Sequence, residues 1–251
     1  MAQVKLFIDN NFAPEGSEFE DWSPTDWKPQ ITLFDNLVDS NYKDFARFLH
    51  SRWKDLGRQV KAEVETNPEK YSLIPLSNPF IVPGGRFREM YYWDSYWTIQ
   101  GLLVSEMYDT TKGMLKNFVE LIQQIGFIPN GKLLILICSK IYIKRIILTF
   151  LGNRVYYKRR SQPPLFISMV EAYYDSTNDL DFIRHNIEYL DQEFQHWMQN
   201  RSVTITKDGK NYTLARYNVE VDSPRPESYY EDHVQALNFN SMEVRYENKI
   251  C

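Results

Sequence analysis

The chemistry in this sequence is concentrated in one run, Pro83-Gly84-Gly85-Arg86-Phe87-Arg88-Glu89-Met90-Tyr91-Tyr92-Trp93-Asp94-Ser95-Tyr96-Trp97. Two adjacent glycines let the backbone turn tightly and come close to a ligand. Arg86 offers a planar fork of N–H donors, and an ionised Asp94 accepts through both oxygens. A sugar hydroxyl both donates and accepts. An arginine, a carboxylate and an aromatic face together therefore suit a pyranose. The same residues also fit a plainer arrangement, a helix entry with Asp94 as N-cap and the Tyr and Trp side chains in a core.

Composition bounds what surrounds this cluster. The chain has 251 residues, 43% apolar and 25% charged, which fits a soluble globular domain or part of a larger one. A net charge of −4 gives no electrostatic reason to expect nucleic acid as a partner. Aromatic residues reach 15%, which suits a carbohydrate partner and equally a Tyr-rich core. The two cysteines, Cys138 and Cys251, stand in no metal-type spacing, and no cluster implies a metal or cofactor. Met1-Ala2-Gln3-Val4-Lys5 lacks the basic and apolar regions of a signal peptide. Two sequons occur, Asn200-Arg201-Ser202 and Asn211-Tyr212-Thr213.

The elements that must position the cluster are mostly helical. Residues 1–39 read as an extended wrapping segment. From Ser40 to Thr66, Phe45, Phe48, Leu49, Trp53, Leu56, Val60 and Val64 recur three or four apart and predict one helix, stopped at Asn67-Pro68. Further helices are predicted over Trp97–Tyr108, over Thr111–Ile125 with Gly126 at the C′ position, and over Asp179–Gln199. Leu180, Ile183, Ile187, Leu190, Phe194 and Trp197 make a continuous stripe on the last. Val203–Thr206 and Tyr212–Leu214 flank Asp208-Gly209 and predict a hairpin near 203–214.

Residues 132–151 differ from everything around them, being rich in Ile, Leu and Lys and free of acidic residues. Lys140, Lys144 and Arg145 near the middle argue against a membrane span, at about 2.5–3.5 kcal/mol each on an insertion scale. A basic helix lying on a membrane surface is the weakest reading, because the stripe is poor. An AT-rich non-coding stretch translates into such residues, and codons for Gly131-Lys132 and Leu151-Gly152 can carry splice signals. A retained intron is therefore expected, whose removal joins Gly131 to Asn153.

The cluster resembles the first signature of the trehalase family of glycoside hydrolases, PGGRF-x-E-x-Y-x-W-D-x-Y, at every fixed position. Phe127-Ile128-Pro129-Asn130-Gly131, then Asn153-Arg154-Val155-Tyr156-Tyr157 and Arg160-Ser161-Gln162-Pro163-Pro164, continue the resemblance in order. Pro224-Arg225-Pro226-Glu227-Ser228-Tyr229 is similar to the family's Arg-Pro-Glu-Ser loop. The resemblance implies a mainly α fold, here an incomplete (α/α)6 toroid with a small β-hairpin. It makes residues 1–251 a partial catalytic domain with 132–151 as a foreign insert. The implied substrate is trehalose, with no nucleic-acid or membrane partner. Carried over by motif position, Arg86, Trp93, Asp94, Asn130, Arg160, Ser161, Gln162, Arg225 and Glu227 line the sugar pocket, and Phe87 packs beside it. As residues alone, Arg160 is also a surface charge in the basic run Lys158-Arg159-Arg160, and Arg225 with Glu227 an ordinary loop ion pair.

An inverting glycosidase needs a carboxylic acid and a carboxylate base roughly 6.5–9.5 Å apart. The resemblance puts both, with the second family signature, downstream of the Arg-Pro-Glu-Ser loop. No matching segment occurs before Cys251, so no catalytic residue is assigned and the later half of the toroid is expected to be missing. Glu89, Glu231 and Asp232 are not promoted to catalysts. The leading expectation is a truncated α,α-trehalase that is itself inactive. The alternatives are a short form that binds trehalose or glucose without cleaving it, and a pseudogene product. The compartment is left open, family members being often secreted or membrane-anchored.

Overall fold

The computed structural model describes residues 2–14, 16–85, 87–129 and 162–216. The predicted insert 132–151, Asn130, Arg160, Ser161, Arg225 and Glu227 lie outside these residues, as does Arg86.

The chain opens with helix α1 (Ala2–Asn11), strand β1 (Phe19–Asp21) and the short helix α2 (Thr32–Asn36). The extended segment expected over 1–39 is therefore corrected to two helices and a strand. The single helix expected over Ser40–Thr66 is broken into α3 (Ser40–Ser51), α4 (Trp53–Leu56), strand β2 (Gly57–Val60) and α5 (Ala62–Thr66). Asp39 caps α3, its carboxylate accepting from the N–H groups of Asn41 and Tyr42. The break has a local cause. Gly57 turns extended, and its carbonyl accepts from Trp22 N–H at 3.1 Å. A Cβ on Gly57 would stand 2.0 Å from the Trp22 carbonyl oxygen, so the approach is backbone to backbone.

Strand β2 is the middle of a three-stranded antiparallel sheet with β1 and β3 (Phe80–Ile81). Phe19 lies opposite Val60, and Gly57 opposite Ile81. Strand β3 leads straight into the Pro83-Gly84-Gly85 turn, so the sheet fixes where the signature begins.

Four long helices carry the core: α6 (Tyr92–Val104), α7 (Tyr108–Ile125), α8 (Phe166–Thr177) and α9 (Leu180–Asn200). Helix α7 buries Met114, Leu115, Phe118, Leu121 and Ile122 in one cluster with Ile99 and Leu102 of α6 and with Phe166 and Met169 of α8. That repeat of three and four residues is the apolar face the sequence predicts. Helix α7 ends where expected, at Gly126, whose φ of 94° is the left-handed conformation glycine accepts without penalty. Helix α6 begins at Tyr92, earlier than the expected Trp97. Helix α9 matches its prediction closely, with the Asp179 carboxylate capping Phe182 N–H. Its stripe is only partly covered: Leu190 is buried, while Leu180, Ile187 and Phe194 are exposed.

The hairpin forms from β4 (Ser202–Lys207) and β5 (Lys210–Ala215). Asp208 and Gly209 both have positive φ, 51° and 73°, as a two-residue hairpin turn with the favoured twist requires. The fold is mainly α with one small antiparallel hairpin, as expected. No described helix is long and apolar enough to cross a membrane.

Candidate functional site

The signature is built on the junction between β3 and α6. After Val82 the chain turns through Gly84 and Gly85, whose φ angles are 97° and 61°. Gly84 and Phe87 exchange two backbone hydrogen bonds, each 3.1 Å. Positive φ at both glycines explains their type here, because a side chain would be strained in either place. Phe87 is exposed and meets Tyr91 edge to face, with ring centroids 5.7 Å apart.

Tyr91 is extended and occupies the N-cap position of α6, so Asp94 is not the N-cap. It lies in the first turn instead, where the unpaired N–H groups favour a negative charge. Asp94 is half-buried, and burial raises its pKa from the ordinary carboxylate value. Trp93 and Trp97, one turn apart, are both exposed rather than in the core. Beside them Tyr92 and Ser95 face inward and are buried. The helix thus divides the aromatic run into a core face and an open one, and the plainer reading of a fully buried aromatic cluster does not hold.

Gln162 comes to this open face from a distant part of the chain. Its Oε1 accepts from Trp93 N–H at 3.0 Å, filling one of the first-turn N–H groups that α6 leaves unpaired. The structure so brings Trp93, Asp94 and Gln162 to one end of α6, with Phe87 on the loop before it.

Phe127 and Ile128, which lead to Asn130, are held on α9. Phe127 stacks on His196, with ring centroids 4.1 Å apart and planes 4° from parallel. Ile128 N–H donates to Glu193 Oε2 at 2.8 Å. Trp197 Nε1 donates to the other oxygen, Oε1, at 3.0 Å. Glu193 is 2% exposed, and burial pushes its pKa up to about 7 against the pull of these donors and of the Tyr92 hydroxyl. The sequence reading missed Glu193. The signal was there: a carboxylate three residues after Leu190 and four before Trp197, on an apolar helical stripe.

Two clefts flank the region. One of about 450 Å³ is lined by Tyr92, Pro163, Ile167, Glu193, Phe194 and Arg201 among others. A smaller one of about 290 Å³ includes Gly84, Gly85, Phe87 and Arg58. Among the described residues no group of three or more His, Cys, Asp or Glu side chains could hold a metal ion.

Residues 1–134 and 146–250 match the Trehalase family. The chain is 47% identical to the trehalase of Apis mellifera over 243 residues, 97% of this chain and 36% of the bee protein. It is 45% identical to the trehalase of Tenebrio molitor over 239 residues, covering 95% of this chain and 39% of the beetle protein. With the trehalase of Homo sapiens the identity is 44% over 230 residues, covering 92% of this chain and 36% of the human protein. The chain thus spans little more than a third of the length of these curated relatives, less than the half expected from its motifs.

Proposed function

The chain belongs to the trehalase family, and on that footing we propose that it is part of an α,α-trehalase whose complete form hydrolyses trehalose to two glucoses with inversion. Its share of the work is sugar recognition. Arg86, Trp93, Asp94, Asn130, Arg160, Ser161, Gln162, Arg225 and Glu227 contact the disaccharide, and Phe87 packs beside it. The acid and the base come from residues outside this sequence, and the described helices are part of the family's (α/α)6 toroid.

The observation that carries this reading is the hydrogen bond from Trp93 N–H to Gln162 Oε1. It joins two family motifs that are far apart in the chain, on an open helix end with exposed aromatic rings. Charge-assisted hydrogen bonds from arginine and carboxylate groups recognise hydroxyls directionally. A ligand lacking those hydroxyls leaves the polar groups unpaired, which is the source of selectivity.

The family match omits 135–145, which lies within 132–151. This supports reading that stretch as an insert, and a message that joins Gly131 directly to Asn153 is the expected transcript. The functional test is a chimera in which this chain, without the insert, replaces the matching segment of the bee trehalase. The chimera releases glucose from trehalose, and Arg86→Ala within it lowers kcat/KM by about 10- to 100-fold, as loss of a charged hydrogen bond does. The 251-residue chain alone releases none. A folded chimera inert toward trehalose would refute the assignment, and turnover by the chain alone would refute the placement of both carboxylates elsewhere.

A further inference from the structure

Two groups of buried polar side chains in the described residues join distant parts of the chain. One set ties the amino-terminal region to the helices. His50 bridges Lys28 O and Ser105 Oγ, and Asp26 accepts from Thr110. Another set centres on Glu193, whose bond to Ile128 N–H leads toward Asn130 and whose neighbour Tyr92 precedes Trp93 and Asp94.

We propose that Glu193 is the positioning residue that holds three sugar-contacting segments in register with one another. The proposal rests on the trehalose reading given above. Glu193 Oε2 accepts from Ile128 N–H at 2.8 Å, two residues before Asn130 in the chain. Tyr92 lines the same cleft as Glu193, where burial and then the nearby carboxylate raise the pKa of its hydroxyl, and it directly precedes Trp93 and Asp94. The same hydroxyl accepts from Phe166 N–H at 3.2 Å, four residues after Gln162. Gln162 closes the circuit by accepting from Trp93 N–H. Trp197, one turn along α9, donates to Oε1 and fixes the carboxylate rotamer.

A carboxylate taken out of water is expensive unless it is fully hydrogen-bonded. An apolar residue would fill the space without that cost. The carboxylate does what an apolar residue cannot: one oxygen holds the Ile128 backbone and the other the Trp197 indole with directional bonds, beside the Tyr92 hydroxyl that holds Phe166 N–H. Glu193 touches no substrate in this scheme, and it acts only through Tyr92 and the Ile128 backbone. Arg201, buried on the next turn, faces the same cleft, with Arg216 beside it.

Amide hydrogen exchange on the full 251-residue chain tests this, with wild type, Glu193→Ala, Glu193→Gln and the control His50→Gln. In Glu193→Ala, peptides over 92–96, 126–129 and 162–168 exchange together at least tenfold faster, while 57–60 in the distant sheet is unchanged. Glu193→Gln keeps one carbonyl oxygen and gives an intermediate rate in the same three segments. His50→Gln leaves all three at the wild-type rate. Acceleration confined to 126–129 and α9, with 162–168 unmoved, overturns the proposal. So does an equal rise everywhere, which marks a purely structural role. Should Glu193→Ala fail to fold, wild-type exchange throughout Glu193→Gln overturns it as well. Added trehalose slows exchange over 92–96 in wild type and less in Glu193→Gln. No response in wild type removes the sugar assignment alone, while the pattern among the three segments reports separately whether Glu193 couples them.

Discussion

Gly57 is where a single methyl group does the most damage. The Cβ of Gly57→Ala would stand 2.0 Å from the Trp22 carbonyl oxygen and 3.1 Å from its carbonyl carbon. A relaxed carbon contact is about 3.5 Å, so β2 and Trp22, the residue that follows β1, must part by more than about one ångström. Overpacking of this kind costs about 1–3 kcal/mol, and here it falls on backbone that no rotamer change can move. Separation also breaks the 3.1 Å bond from Trp22 N–H to Gly57 O, worth about 1 kcal/mol net. The expected loss is about 3 kcal/mol, or about 1.5 M in urea midpoint at an m-value of about 2 kcal/mol/M. Urea unfolding followed by tryptophan fluorescence is the assay. Gly209→Ala is the comparison: its φ is +73° but nothing lies within 4 Å, so only the conformational penalty of about 1 kcal/mol remains. A Gly57→Ala midpoint within about 0.5 kcal/mol of wild type would refute the backbone approach as the reason for glycine.

Three further outcomes follow from charged groups. Asp179 caps α9 and accepts from Lys112 at 2.5 Å and from the Tyr173 hydroxyl at 2.9 Å, so Asp179→Ala loses about 2 kcal/mol in the same assay. The Lys112 and Phe182 N–H bonds hold the Asp179 carboxyl down at about 2, below its ordinary 3.8. Its contribution is therefore whole above pH 3.8 and is lost as pH falls through 2, a loss that acid titration of Asp179→Asn does not show. Glu193 has the opposite sign. With its carboxyl raised by burial from 4.5 to about 7, the unfolded chain releases the proton first, so stability falls as pH rises between those values. His196, lowered by burial from 6.5 to about 4, adds stability that is present above 6.5 and lost as pH falls through 4. Wild type is thus nearly level between pH 4.5 and 6.5. Glu193→Gln gains about 2–3 kcal/mol relative to wild type on going from pH 4.5 to 8, read by denaturation at each pH.

The sequence revealed most where one local rule decided the outcome. Helix α9 follows from its stripe and its Asp179 cap, the end of α7 from Gly126, and the hairpin from Asp208-Gly209. The unbroken helix over Ser40–Thr66 failed because periodicity does not register a contact across the sheet: Phe45, Phe48 and Leu49 keep the spacing yet stay exposed, while Gly57 leaves the helix to meet Trp22. Helix α8 carries the same signal in Phe166, Met169, Val170 and Tyr173, all buried, but sits between motif residues that drew attention to loops instead. Motif position names Phe87, Trp93, Asp94 and Gln162 for the proposed sugar contacts, but no pattern shows that Gln162 caps Trp93. Glu193 has one local signal, its place on the stripe four residues before Trp197, but its bond to the Ile128 backbone leaves no trace in the sequence.

The β4–β5 ribbon has a practical use. A Cβ on Gly209 meets nothing within 4 Å, and every residue of β5 is exposed, Thr213 to Ala215 along the rim of the larger cleft. A short epitope or a single fluorophore set between Asp208 and Gly209 leaves the helical core and the α6 end untouched. The hairpin next to Arg201 thereby becomes a handle for capturing or labelling the chain.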